Sequence, residues 1–211
     1  MSLCLSGLFS LPQGPAFVLR TSVGKRGDTE NKIISKRELF MKTMSEYIGQ
    51  RILFIQPSVW KRFHEMRAGE ELLATMQQRG FFGTRWEVSI MNKNWEIYKQ
   101  SCWRTALYIR EAGYEMPIAE FIRDGFRSKG TLKLPKGERL KIAPHLFKRY
   151  CEVTDENNQQ FVTIKLLRAF GEKAEVIQQK KLELIDEYPW IIMLAYIVSL
   201  EQKQQASRSA H

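Results

Sequence analysis

The chain has little cysteine and no catalytic signature. Among its 211 residues Cys4, Cys102 and Cys151 stand far apart. They make no paired framework, which excludes a disulfide scaffold and a cysteine-built metal site and fits a reducing compartment. Gly80-Phe81-Phe82-Gly83 has neither the lysine nor the spacing of a phosphate loop, and His64-Glu65 is not followed by the second histidine of a zincin. His145 and Cys151, six apart, would point to different faces of one helix, so they make a poor nucleophile–base pair. Glu70-Glu71 and Asp186-Glu187 are adjacent acids that diverge on a helix and read as surface charge. There is no low-complexity tract and no evident internal repeat. These gaps argue against an enzyme, a metal centre or a cofactor. A long apolar run is missing too: Trp190–Leu200 has about half of the roughly 20 residues that a membrane span needs, so it reads as a buried core helix.

Residues 1–27 lack acid altogether. They carry Arg20, Lys25 and Arg26 with Leu3, Leu5, Leu8, Phe9 and Leu11, and several serines and threonines. That is the composition of an organelle transit segment. Nothing basic precedes Cys4, which disfavours a secretory signal, and Pro12, Gly14 and Pro15 would break a long helix. The mitochondrial matrix is the expected destination, with a chloroplast as the alternative.

What is present suits one domain. At 44% hydrophobic and 11% aromatic residues, the chain can bury a sizeable core. The expected organisation is a targeting segment at 1–27, a helical domain at 28–200 and a polar tail at 201–211. A stripe of Ile33, Phe40, Met44, Tyr47 and Ile48 predicts a helix ending at Gly49. Ile52–Ile55 reads as a buried strand or an inter-helix segment. Val59, Phe63 and Met66 predict a helix capped by Ser58. Thr84 and Glu87 match a capping box, and Val88, Met91, Trp95, Tyr98, Cys102, Ala106 and Ile109 recur at helical spacing up to Gly113. Trp95 and Cys102 are therefore expected in the core. Pro117 and Pro144 would open two more helices, the second with Phe147 and Tyr150 inward.

One β element is expected, at 131–142. Two alternating runs flank Pro135-Lys136-Gly137, so Leu132, Leu134, Leu140 and Ile142 can share an apolar face. Lys133, Arg139 and Lys141 would line the opposite face, with Lys136 at the tip. The fold class is thus mainly α, a single helical domain with one small β-hairpin. The chain's net charge of +10 concentrates around this hairpin, because Arg123–Arg149 holds nine basic residues against Asp124 and Glu138. Arg123, Arg127, Lys129, Lys133, Lys136, Arg139, Lys141, Lys148 and Arg149 are the candidate anion-binding residues. With no base-reading module in sight, they would contact an RNA backbone. The expected function is a non-catalytic RNA-binding subunit of a mitochondrial ribonucleoprotein, an accessory protein of the mitochondrial ribosome. Ribosomal RNA and neighbouring subunits would be its partners. The alternative is a peripheral subunit or assembly factor of an inner-membrane respiratory complex, its basic face against anionic lipid.

Overall fold

Alternation of period two, not helical spacing, governs the chain from Ile52 onward. A computed structural model describes residues 43–58, 60–80, 84–101, 105–125, 129–145, 147–168, 173–178 and 183–209. The strands are β1 (Ile52–Ser58), β2 (Phe63–Ala68), β3 (Glu71–Arg79), β4 (Arg85–Ile90), β5 (Lys93–Tyr98) and β6 (Leu107–Glu111). There follow β7 (Ala119–Arg123), β8 (Gly130–Lys133), β9 (Arg139–His145), β10 (Tyr150–Thr154), β11 (Gln160–Leu166) and β12 (Ala174–Gln178). Each pairs antiparallel with its neighbour in sequence, and β12 pairs with β1, closing a twelve-stranded barrel. Two helices come last, α1 (Glu183–Glu187) and α2 (Trp190–Ser209). The expected mainly α architecture is overturned.

The cause of the misreading lies in β4 and β5. Trp86, Val88 and Ile90 are buried on one strand, Trp95 and Ile97 on the next, with exposed or half-buried residues between them. Met91 and Asn92 both take left-handed φ, +50° and +60°, and form the two-residue turn that joins them. Val88 and Trp95 face one another across the hairpin. Read through the turn, these positions imitate a 3-4 spacing. Glu87 is no capping partner of Thr84; it points outward and pairs with Arg79 at 3.0 Å. Met44–Tyr47 is a single 3₁₀ turn, and Ile52–Ile55 belongs to β1. The segments after Pro117 and Pro144 are strand and turn, not helix.

Inward side chains line the whole wall, among them Phe54, Met66, Met76, Phe121, Ile142, Val153 and Ile164, all fully buried. The outer face carries Glu65, Arg67, Glu87, Glu96, Arg110, Lys141, Glu152 and Glu175. That polarity is the reverse of a membrane-spanning barrel, which is apolar outside. Eight strands make a barrel that side chains alone can fill; twelve leave room for more. Here α2 fills the room. Every residue from Trp190 to Leu200 is buried, with no polar side, as a helix enclosed all round requires. Tyr196 stacks on Phe54 with ring centroids 3.9 Å apart, and Trp190 lies against Trp95 at 6.3 Å. Among the described residues no helix is long and apolar enough to cross a membrane. Trp95 is buried as expected, and Cys102 lies outside the described residues.

A buried polar contact ties the middle of the helix to the wall. The Tyr196 hydroxyl lies 3.2 Å from His64 Nδ1. Burial lowers the His64 pKa to about 4, from its ordinary value of 6.5, so the folded protein holds a neutral ring. The folded value is below the unfolded one, hence the unfolded chain takes up the proton first as pH falls. The stability tied to His64 is fully present above pH 6.5 and is lost as pH drops toward 4. Urea titrations across that window should show wild type losing up to about 3 kcal/mol more than His64→Gln. Equal slopes would mean that His64 is not held neutral.

Candidate anion-binding surface

The topology sorts all connections into two ends. Those following odd-numbered strands lie at one end of the barrel, and those following even-numbered strands at the other. The helix α2 starts at the second end, next to α1, and leaves through the first. At its exit Glu201 pairs with Arg123 at the end of β7 and with Lys99 after β5, at 2.9 Å for the lysine. Gln202 Nε2 donates to the Pro144 carbonyl nearby, at 3.4 Å.

Charge divides between these ends. In the exit-end connections the described residues comprise eight bases, Lys61, Arg62, Lys99, Lys129, Lys148, Arg149, Arg168 and Lys173, against one acid, Asp124. The other end, with α1 and the segment before β1, holds among the described residues of its connections two bases, Arg51 and Lys136, against Glu46, Glu70, Glu115, Glu138, Asp155, Glu156, Glu183, Asp186 and Glu187. The barrel is therefore electrostatically polar along its axis.

The hairpin expected at 131–142 is real. Leu132 lies opposite Leu140 and Lys133 opposite Arg139, and Leu132, Leu134, Leu140 and Ile142 are buried. Lys133, Arg139 and Lys141 share the outer face with Lys136 at the tip, as expected, but β9 carries the chain to the other end of the barrel, so they do not join Lys129, Lys148 and Arg149 in one patch. Lys133 lies 3.7 Å from Glu120. Lys136 lies 2.7 Å from Glu187, and that hydrogen bond holds the ammonium above its ordinary pKa and the carboxyl below its own. Arg139 is exposed at the same acidic end. Arg123 is buried against Glu201 and cannot meet a ligand as it stands. Lys129 and Lys141 line an outer groove of about 570 Å³ with His145, Glu152, Asn158 and Gln160. There Lys141 donates to Asn158 at 3.2 Å and His145 lies 3.3 Å from Glu152, so the groove is mixed in charge and largely self-satisfied. Arg127 lies outside the described residues. Of the described members of the nine, Lys129 and Lys148 are exposed at the basic end, and half-buried Arg149 stands there with its Nη2 donating to the Leu167 carbonyl at 3.5 Å.

Residues that the sequence reading passed over complete that end. Trp60-Lys61-Arg62 joins β1 to β2, and Phe147-Lys148-Arg149 joins β9 to β10. The two words repeat residue for residue in type, extending in sequence to Val59 and Leu146 before and Phe63 and Tyr150 after. The geometry repeats too. Arg62 and Arg149 both take left-handed φ, +46° and +57°, which costs a side chain about 1 kcal/mol or more. Each arginine carbonyl accepts an amide from the next strand over, Gln78 N–H at 3.1 Å and Leu166 N–H at 2.7 Å. Phe147, expected inward on a helix, is 99% exposed, and Trp60 is 96% exposed. Around the rim the β11–β12 connection, with exposed Arg168 and Lys173, lies between the two words. Among the described residues Lys61, Lys148, Arg168 and Lys173 meet no carboxylate.

Chemistry is thin elsewhere. Cys151 faces the interior and burial pushes its thiol up to about 12, so it stays protonated, while His145 lies on the outer face with Glu152. No group of three or more metal-ligating side chains occurs among the described residues. Comparison with protein families, with curated proteins and with solved structures finds no match.

The exit lock is testable by itself. Removing one partner of a buried ion pair typically costs about 3–5 kcal/mol, because the other charge is left uncompensated. Glu201→Gln should destabilise the barrel by that order in chemical denaturation. Arg123→Met with Glu201→Leu should regain most of the loss. A single variant as stable as wild type would show that solvent already reaches Arg123.

Proposed function

We propose that this protein is a non-catalytic module that binds a polyanion with one end of its barrel. The observation that carries the reading is the axial charge division: among the described residues, the connections at the helix-exit end hold eight bases and one acid, and those at the other end, with α1 and the segment before β1, two bases and nine acids. Lone surface charges are usually solvated, but a one-signed cluster raises the local concentration of an oppositely charged partner. Lys61, Lys148, Arg168 and Lys173 each stand within two residues of a strand end, which lowers the ordering cost that a ligand must meet.

Two polyanions meet the description. One is the RNA of a mitochondrial ribonucleoprotein, and the composition of residues 1–27 supports that compartment. The other is an anionic membrane surface, the setting of the peripheral-subunit alternative. Both use the same rim, and the second accounts for one observation more, the exposed aromatic at each of two loop tips.

Reversal of four charges tests the shared part. Lys61→Glu, Lys148→Glu, Arg168→Glu and Lys173→Glu together should leave stability within about 0.5 kcal/mol per site, because all four are exposed. Retention on immobilised heparin, a sequence-free polyanion, should collapse. On single-stranded RNA, neutralising the same four to Gln should make the slope of log K against log salt shallower by about 3. Lys133→Glu, Lys136→Glu and Arg139→Glu at the acidic end should change neither. Equal losses from the two sets would remove the assignment to the exit end.

A further inference from the structure

We infer that the helix-exit end docks on an anionic membrane surface, with Trp60 and Phe147 seated among the lipid headgroups and the neighbouring lysines and arginines on lipid phosphates and carboxylates. The inference rests on reading this end as polyanion-binding and names its partner. Three observations carry it. The first is exposure: two large aromatic side chains stand 96% and 99% open to solvent, on a protein whose other tryptophans among the described residues are buried. Holding such surface in water is unfavourable, and aromatic rings settle at the boundary between headgroups and acyl chains. The second is repetition. The same aromatic-Lys-Arg word, with the same left-handed arginine and the same carbonyl tether, is built twice at the same end. The third is charge: six bases, Lys61, Arg62, Arg168, Lys173, Lys148 and Arg149, occupy the arc of rim that holds both tips, and the described part of that arc carries no acid.

RNA explains less. Single-stranded nucleic acid uses aromatic platforms set within a basic groove, where successive bases stack. Trp60 and Phe147 stand on separate connections with another connection between them, and almost nothing of the protein covers either ring. A flat, anionic, partly apolar surface meets both tips and the arc at once. The charged outer wall stays in water, so only the loops engage.

The test is flotation of the full chain with phosphatidylcholine vesicles, with and without phosphatidylserine, beside binding to a single-stranded RNA. Wild type should float with phosphatidylserine vesicles and not with pure phosphatidylcholine. Each charge removed from the arc should weaken vesicle binding by about fivefold. Trp60→Ser with Phe147→Ser should weaken it by tenfold or more while RNA binding and the unfolding midpoint stay unchanged. Vesicle binding that ignores the aromatic pair but vanishes with the charges would overturn the insertion and leave the polyanion reading standing. RNA binding without vesicle binding would overturn the membrane partner in favour of RNA. Binding to neither would overturn both.

Discussion

An apolar helix with no polar side has to be covered in every direction, and the rest of this fold answers that demand. Trp190–Leu200 would be insoluble against a single sheet face, which hides only one stripe. A closed wall hides all of it. The requirement is mutual, since a twelve-stranded barrel filled by its own side chains alone would leave a void, and dense packing is where core stability comes from. Closure also removes sheet edges, so no unpaired strand is left to template aggregation. Inward rings of the wall meet rings of the helix: Phe54 against Tyr196, Trp95 against Trp190.

This arrangement separates stability from binding. The core lies between wall and helix, and polar locks such as Arg123–Glu201 close the helix exit. The connections outside carry little of the core, so their composition is open to other demands. A structural role would favour small polar turn residues at such tips. Trp60 and Phe147 are neither small nor polar, and their exposure is held in place by left-handed arginines whose carbonyls are tied to the next strand.

The sequence reading succeeded where local pattern and global structure share a period. Around Pro135-Lys136-Gly137 the alternation was unbroken, and the hairpin forms with the four expected apolar residues buried. Trp190–Leu200 is a helix and is buried, as its length and composition imply. The other strands were hidden by short turns. Across the Met91-Asn92 turn the buried positions pass from even numbers in β4 to odd numbers in β5, and that change of phase joins two strands into a false helical stripe. The five-residue stretch Trp86-Glu87-Val88-Ser89-Ile90 alternates without a fault and was the better signal. For the site, a window of sequence was mistaken for a patch of surface. Lys133 and Lys148 are near in sequence, yet β9 carries the chain from one end of the barrel to the other between them. Conversely, Lys61 and Lys148 share an end across 87 positions. Only the repeated aromatic-Lys-Arg word linked them in advance.

The helix dipole gives the charge division a second cause, and its reach separates the two. An α-helix carries partial positive charge at its N-terminus and partial negative charge at its C-terminus. The acids Glu183, Asp186 and Glu187 stand just before the start of α2, and Arg208 lies in its last turn. Those signs are the favourable ones, each worth about 0.3–1 kcal/mol where it lies within a turn of the helix end. The acidic end of the barrel is thus partly a requirement of the buried helix. It also has an internal use, since Asp186 accepts from the backbone N–H and hydroxyl of Ser45 and Glu187 holds Lys136. The dipole does not reach the tips of the connections at the other end. Lys61, Lys148, Arg168 and Lys173 belong to loops rather than to the helix, and the field of a helix end fades within a turn and is screened within about 8 Å at physiological salt. Structural demand accounts for the acids near the buried start of α2. Lys61, Lys148, Arg168 and Lys173, which meet no carboxylate among the described residues, have no such internal use, and neither have the two aromatic tips beside them; that is what supports the proposed partner outside the fold.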